Sequence, residues 1–337
     1  MIVYAASTDS SEGVMWLVFV AVIAIVIAGV VFRAWREGKR IRATREQHAA
    51  SEAAALAEHH RPRWSPDADA FGSRYVDWGV AVGAPFALCR GADQDRLTFG
   101  DPQEERQILA EAWGVTDRSS MLQAIFDLLL SGHRDDFAGE IARWSALSDD
   151  EWNALEVDLR NAAKHSVDAT EALWRARRVR ADDRGIRSVD FLAWDFVRLA
   201  MIVRAGATAG YLSESEAADV LVMISEDLRE HYGSWEELGE SFRLGRWYWN
   251  SQGGENEAQM DAHDLSRQEV LTSLASPWAR VAWDMPLPAS RMLFVDALRD
   301  DGVYAPDPGE YLEPGEPVWS KRIHDALRQR ELADDDR

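Results

Sequence analysis

One cysteine in 337 residues, Cys89, excludes an intramolecular disulfide and suits a reducing compartment. The stretch Phe86-Ala87-Leu88-Cys89-Arg90 offers only Arg90 to activate a thiol, so Cys89 reads as a small apolar filler rather than a nucleophile. Alternating apolar and polar runs bounded by turn residues, the mark of strands, are scarce. HExxH, clustered Cys/His spacing, a glycine-rich phosphate loop and a strand-embedded nucleophile elbow are all missing, so no metal or other cofactor is expected. Positive charge is also short: 37 Lys+Arg stand against 58 Asp+Glu, a net charge of −21. From residue 46 onward the balance is 31 against 55, or −24. A body this acidic repels phosphate backbones, which makes nucleic acid an unexpected partner.

What is present begins with an uncharged run. Gly13 to Phe32 holds 20 residues without charge or proline, and at about 1.5 Å per residue such a helix spans roughly the 30 Å of a bilayer core. The twelve residues before it carry no Lys or Arg, and the run ends in Val-Val-Phe-Arg rather than in a small-residue cleavage site; a cleaved signal peptide does not look like this. Arg33, Arg36, Lys39, Arg40, Arg42 and Arg45 follow directly. Cations within about 15–20 residues of a span prefer the cytoplasm, so the reading is a single-pass protein of the inner membrane, N-terminus out and body cytoplasmic. The same cations, Arg33, Arg36, Lys39 and Arg40 first among them, can touch anionic lipid. Ala24 and Ala28 form a small-xxx-small pair through which two copies can pack into a homodimer, a spacing that is also common by chance.

The predicted organisation is a short outer segment (1–12), a transmembrane helix (13–32), a basic and then charged helical stalk (33–62), a helical domain (63–287) and a C-terminal extension (288–337). After Pro277 the chain is expected to turn irregular, and the proline-rich extension ends in a helix over Val318 to Glu331 and an acidic tail. Helix starts recur along the body. Asp101-Pro102 pairs an N-cap with proline at the first helical position, and Gly114 follows the run ending at Trp113. Thr116 or Asp117 marks another start and Gly132 a stop. Ser148, Ser213 and Ser234 each precede a glutamate by three residues, the spacing at which hydroxyl and carboxylate satisfy opposite amides. The fold class is therefore all-α. Trp235, Leu238, Phe242, Gly245 and Trp249 fall on one stripe at helical spacing and read as core, and Gly239 and Gly245 predict close helix crossings.

Ala112-Trp113-Gly114-Val115-Thr116 with Gly132-His133-Arg134 resembles the DUF1266 family, bacterial proteins of unknown function. So do Ala193-Trp194-Asp195 leading to Ala209-Gly210-Tyr211-Leu212-Ser213, Ser234-Trp235-Glu236-Glu237 with Gly245-Arg246, and Ser276-Pro277-Trp278 with Trp283-Asp284. The resemblance spans about Trp113 to Leu287, half the chain, and implies a domain identity without a mechanism.

Among residues able to carry chemistry, Asp195 and Arg198 lie three apart on one helical face, with Arg204 further along. They suit either a grip on a carboxylate or phosphate or an ion pair that ties helices, the commoner use. His133, Arg134, Asp135 and Asp136 sit just past a helix end, where a general base or a metal ligand can be assembled and where short polar turns look alike. Arg175, Arg177, Arg178, Arg180, Arg184 and Arg187 form a basic row within the acidic body, able to meet lipid, a partner or the protein's own carboxylates. Fifteen tryptophans invite a sugar-binding reading, but most fall on apolar stripes and suit packing. Two functions remain in view. One is a tethered module that binds or scaffolds a protein partner; the other is an enzyme for a small anionic substrate, using His133, Asp135, Asp195 and Asp284 with Arg134, Arg198 or Arg246. Gathering of these residues in a deep polar pocket separates the second from the first.

Overall fold

The computed structural model describes residues 61–250, 257–303, 325–326 and 328–330. The predicted span Gly13 to Phe32, the cations Arg33, Arg36, Lys39 and Arg40, and most of the expected C-terminal helix lie outside these residues. Among the described residues there is no β-strand, only one isolated bridge between Arg63 and Asp93, and no helix is long and apolar enough to cross a membrane.

Thirteen α-helices are described: α1 Val76–Val82, α2 Ala84–Cys89, α3 Pro102–Trp113, α4 Arg118–Leu130, α5 Gly132–Ser145, α6 Asp149–Ala162, α7 Val167–Ala181, α8 Leu192–Ala209, α9 Glu214–His231, α10 Trp235–Trp249, α11 Glu257–Leu271, α12 Pro277–Arg280 and α13 Leu293–Asp300. Their starts follow local chemistry. Asp101 accepts from the amides of Gln103 and Glu104 ahead of Pro102, and Gly114 closes α3 in the left-handed region at φ 66°. Ser148 and Ser213 each make the full reciprocal capping box with Glu151 and Glu216. Ser234 caps α10 as well, but its Glu237 reaches the Gly233 amide at 2.7 Å instead of returning to Ser234.

Helix α8 is the axle of the fold. It packs against α1, α2, α3, α4, α5, α9 and α10, and of its eighteen residues only Arg198 and Ala207 escape burial. A helix enclosed on all sides must be apolar nearly all round, as Phe196, Val197, Leu199, Ile202 and Val203 make it. Each such fully buried side chain contributes about 1.5–3 kcal/mol. The close crossings expected at the glycines are present. A Cβ on Gly245 would meet that of Trp194 at 2.7 Å, and one on Gly239 would meet Gln268 at 2.5 Å, so α8 and α11 approach α10 there. By contrast α6 has no buried residue and leans on α7 through half-buried Trp152, Leu155 and Leu159.

Three sequence expectations change. Gly132 does more than stop a helix: at φ 59° it opens α5. Trp249 leaves the core stripe and is 43 % exposed, because at the last turn of α10 the buried positions have passed to Trp247 and Tyr248. The stretch after Pro277 contains the helix α13, whose Phe294, Val295 and Leu298 are buried against α9 and α4 in the same core as residues 63–287. Trp78, Trp235, Trp278 and Trp283 meet in one cluster, with ring centroids 4.6–5.7 Å apart. Within it the indole of Trp78 donates to the Trp283 carbonyl and that of Trp278 to the Ala81 carbonyl.

Candidate functional site

Four of the seven polar residues singled out in the sequence do come together, where α8 begins beneath the α4–α5 turn. The left-handed Gly132 brings the first amides of α5 over the Asp195 carboxylate, which accepts from His133 N at 3.1 Å and Arg134 N at 3.0 Å. Asp195 thus caps α5 from another helix, a favourable place for negative charge. A Cβ at position 132 would fall 2.1 Å from Asp195 Oδ2. Arg134 adds a charge-assisted bond to the same oxygen at 3.0 Å and donates to the last carbonyls of α4, Leu128 O at 2.8 Å and Leu129 O at 2.6 Å. Arg198 Nη1 lies 3.4 Å from Asp195 Oδ1, with its guanidinium over the rings of Trp113 and Trp194.

His133 Nδ1 receives the Trp194 indole N–H at 3.1 Å and sits 3.0 Å from Arg198 Nη1. Two donors on one nitrogen assign the ring proton to Nε2. Burial, then the nearby Arg198 cation, pull the imidazole down to about 4, so it stays neutral near pH 7. Burial pushes the Asp195 carboxyl above its ordinary value, opposed chiefly by Arg134, and lowers both guanidiniums, opposed chiefly by Asp195. Asp195 is fully buried, with four donors around it. Neither proton transfer to a substrate nor a bidentate grip on one is open to it.

The other selected residues stand apart. Arg246 pairs with Asp264 at 2.8 Å, which Arg267 also meets at 3.3 Å, tying α10 to α11. Asp284 is exposed in the segment after α12. Of the basic row, Arg175 pairs with Glu140 at 2.9 Å, Arg177 with Glu156 at 2.8 Å, and Arg178 with Asp183 at 2.7 Å and with Glu257. Among the described residues no group of three or more His, Cys, Asp and Glu is arranged to hold a metal.

What solvent reaches is a cleft of about 640 Å³ beside this junction, walled by α5, Arg175 of α7 and Trp249 at the end of α10. His133, Asp136, Glu140 and Arg143 line it, the last three at +3, +7 and +10 from His133 on one α5 face, and Asp135 lines it too. Glu140, Arg143 and Trp249 escaped the sequence reading of the site; the polar stripe along α5 was the available signal. A second groove, about 790 Å³, runs between α9, α10 and α11 and holds none of the selected residues.

The sequence profile described as "Protein of unknown function (DUF1266)" matches residues 108–283, just over half the chain. The chain belongs to the DUF1266 family. The protein called "Uncharacterized protein YbeU" of Escherichia coli (strain K12) is 27 % identical over 176 residues, covering 51 % of this chain and 70 % of YbeU. "Uncharacterized protein YbeR" of the same strain is 27 % identical over 143 residues, covering 42 % of this chain and 57 % of YbeR. No solved structure matches. The DUF1266 segment contains every element of the Asp195 junction, and its resembling stretches Gly132-His133-Arg134 and Ala193-Trp194-Asp195 are the two halves of that contact.

Proposed function

We propose that the protein is a membrane-tethered helical binding module, held at the inner face of the plasma membrane by residues 13–32 with its acidic domain cytoplasmic. The observation that carries this reading is how the polar candidates are used. Asp195, Arg134 and Arg198 pair with one another in a shielded junction, Arg246 is tied to Asp264, and Asp284 stands elsewhere on the surface. An enzyme for an anionic substrate needs such groups in one solvent-reachable cavity; a module needs them to hold a rigid scaffold. The uncharged run and the cations behind it support the tether and its orientation. Lipid through residues 13–32, a protein partner and a second copy through Ala24 and Ala28 are the partners this reading implies.

Fractionation of cells expressing the full chain tests it. The protein is expected in the membrane pellet after carbonate extraction, and a version lacking residues 1–45 is expected in the supernatant. Recovery of the full chain in the supernatant overturns the tether. A domain cleaved by protease added outside spheroplasts overturns the orientation.

A further inference from the structure

The cleft beside His133 holds the polar groups that the junction leaves available, and their chemistry selects a ligand. This step rests on the reading of the domain as a binder. Trp249 presents a 43 % exposed indole whose ring lies 5.3 Å from that of Trp194, at 33° to it. The braced ring is a flat apolar platform that loses little rotamer freedom when covered. Around it stand groups of both hydrogen-bonding senses. The neutral His133 ring keeps Nε2–H as a donor, since Nδ1 faces Trp194 and Arg198. Asp136 offers only acceptors and Arg143 only donors. Both are exposed, and neither makes a hydrogen bond or ion pair among the described residues. Glu140 and Arg175, also lining the cleft, are engaged with each other at 2.9 Å.

The charges decide between ligand classes. An anion in this cleft meets the carboxylates of Asp135, Asp136 and Glu140, and a cation meets the guanidiniums of Arg143 and Arg175, so each is opposed wherever it is attracted. A neutral, polyhydroxylated ring meets no such penalty. Its C–H face covers the indole, and its hydroxyls both donate to Asp136 and accept from Arg143 and His133. We propose that this cleft binds a neutral saccharide, stacked on Trp249 and hydrogen-bonded by His133, Asp136 and Arg143.

Saturation-transfer NMR on the full chain in lipid nanodiscs, titrated with maltose, glucosamine, glucose 6-phosphate and adenosine, tests this. Maltose is expected to give saturable transfer into its ring protons with a dissociation constant near the millimolar range, about −4 kcal/mol. Trp249→Ala should weaken it about tenfold or more, and Asp136→Asn and Arg143→Gln, both surface changes, several-fold with an unchanged melting temperature. No saturation by maltose, or equal binding by all three variants, overturns the proposal. Tighter binding of glucose 6-phosphate, glucosamine or adenosine does so too, in favour of an anion, a cation or a nucleobase. Turnover of maltose in the same spectra overturns the non-catalytic reading alone and leaves the ligand class standing, so the two failures are distinguishable.

Discussion

Two groups of charge in this molecule are built from the same side chains and do different work. At the α4–α5 turn, one buried carboxylate and the Arg134 guanidinium meet backbone amides and carbonyls whose own helices supply no partner, and Arg198 joins the same carboxylate. Along α7 the arginines meet carboxylates at the surface, pair by pair. In the first group Asp195 and Arg134 take the place of missing backbone hydrogen bonds, and none of the three charges can be withdrawn without stranding a neighbour. In the second each charge has water as an alternative partner. An Asp–Arg pairing read from sequence spacing says nothing about which kind it is, and the difference is several kcal/mol.

The contrast can be broken most forcefully at Asp195. Asp195→Ala leaves Arg134, Arg198 and the two α5 amides without their acceptor and should cost about 3–5 kcal/mol in urea denaturation. Next is Gly132→Ala, which forces a side chain into the left-handed region and against Asp195 Oδ2, at about 1–3 kcal/mol. A double-mutant cycle sharpens the point: in the Asp195→Ala background the Gly132→Ala cost should shrink, because the oxygen it strikes is gone. A third effect is pH-dependent. His133 is held neutral down to about 4 when folded and titrates near 6.5 when unfolded, so the unfolded chain binds the extra proton between those values. Its contribution to stability is complete above about 6.5 and is lost as pH falls toward 4. His133→Gln should flatten that part of the profile of melting temperature against pH. The smallest effect is expected on α7, where Arg177→Ala removes a surface pair with Glu156 and should leave the urea midpoint almost unchanged, any loss falling further with added salt. A loss comparable to that of Asp195→Ala would erase the distinction between the two groups.

Much of the architecture was legible because helix ends are local events. Asp101-Pro102, Ser148 and Ser213 cap where their spacing says, since the groups involved lie within four residues of one another. The shared face of Asp195 and Arg198 was legible for the same reason. The acceptors and donors that give them meaning were not, because Asp195 meets amides about 60 residues earlier in the chain and a main-chain amide leaves no mark in a sequence. Asp219 is a parallel case: from the middle of α9 it receives the amides of Arg291 and Leu293 at the start of α13, a helix the proline-rich context concealed. Trp249 misled because helical spacing assigns a side but not where the covering helix ends.

The nearly complete burial of α1 bears on how this domain can be handled as a piece of protein. Asp77 through Val82 are all buried, a Cβ on Gly79 would touch Leu221 of α9 at 2.5 Å, and Trp78 reaches the Trp283 carbonyl. Yet α1 precedes the segment shared across the family, residues 108–283, and α13 follows it. The boundary of shared ancestry therefore runs through the hydrophobic core rather than around it. An expression clone cut at residues 108 and 283 exposes the faces of α8 and α9 that α1 covers and should aggregate, whereas one carried from about residue 62 through α13 keeps that seam closed.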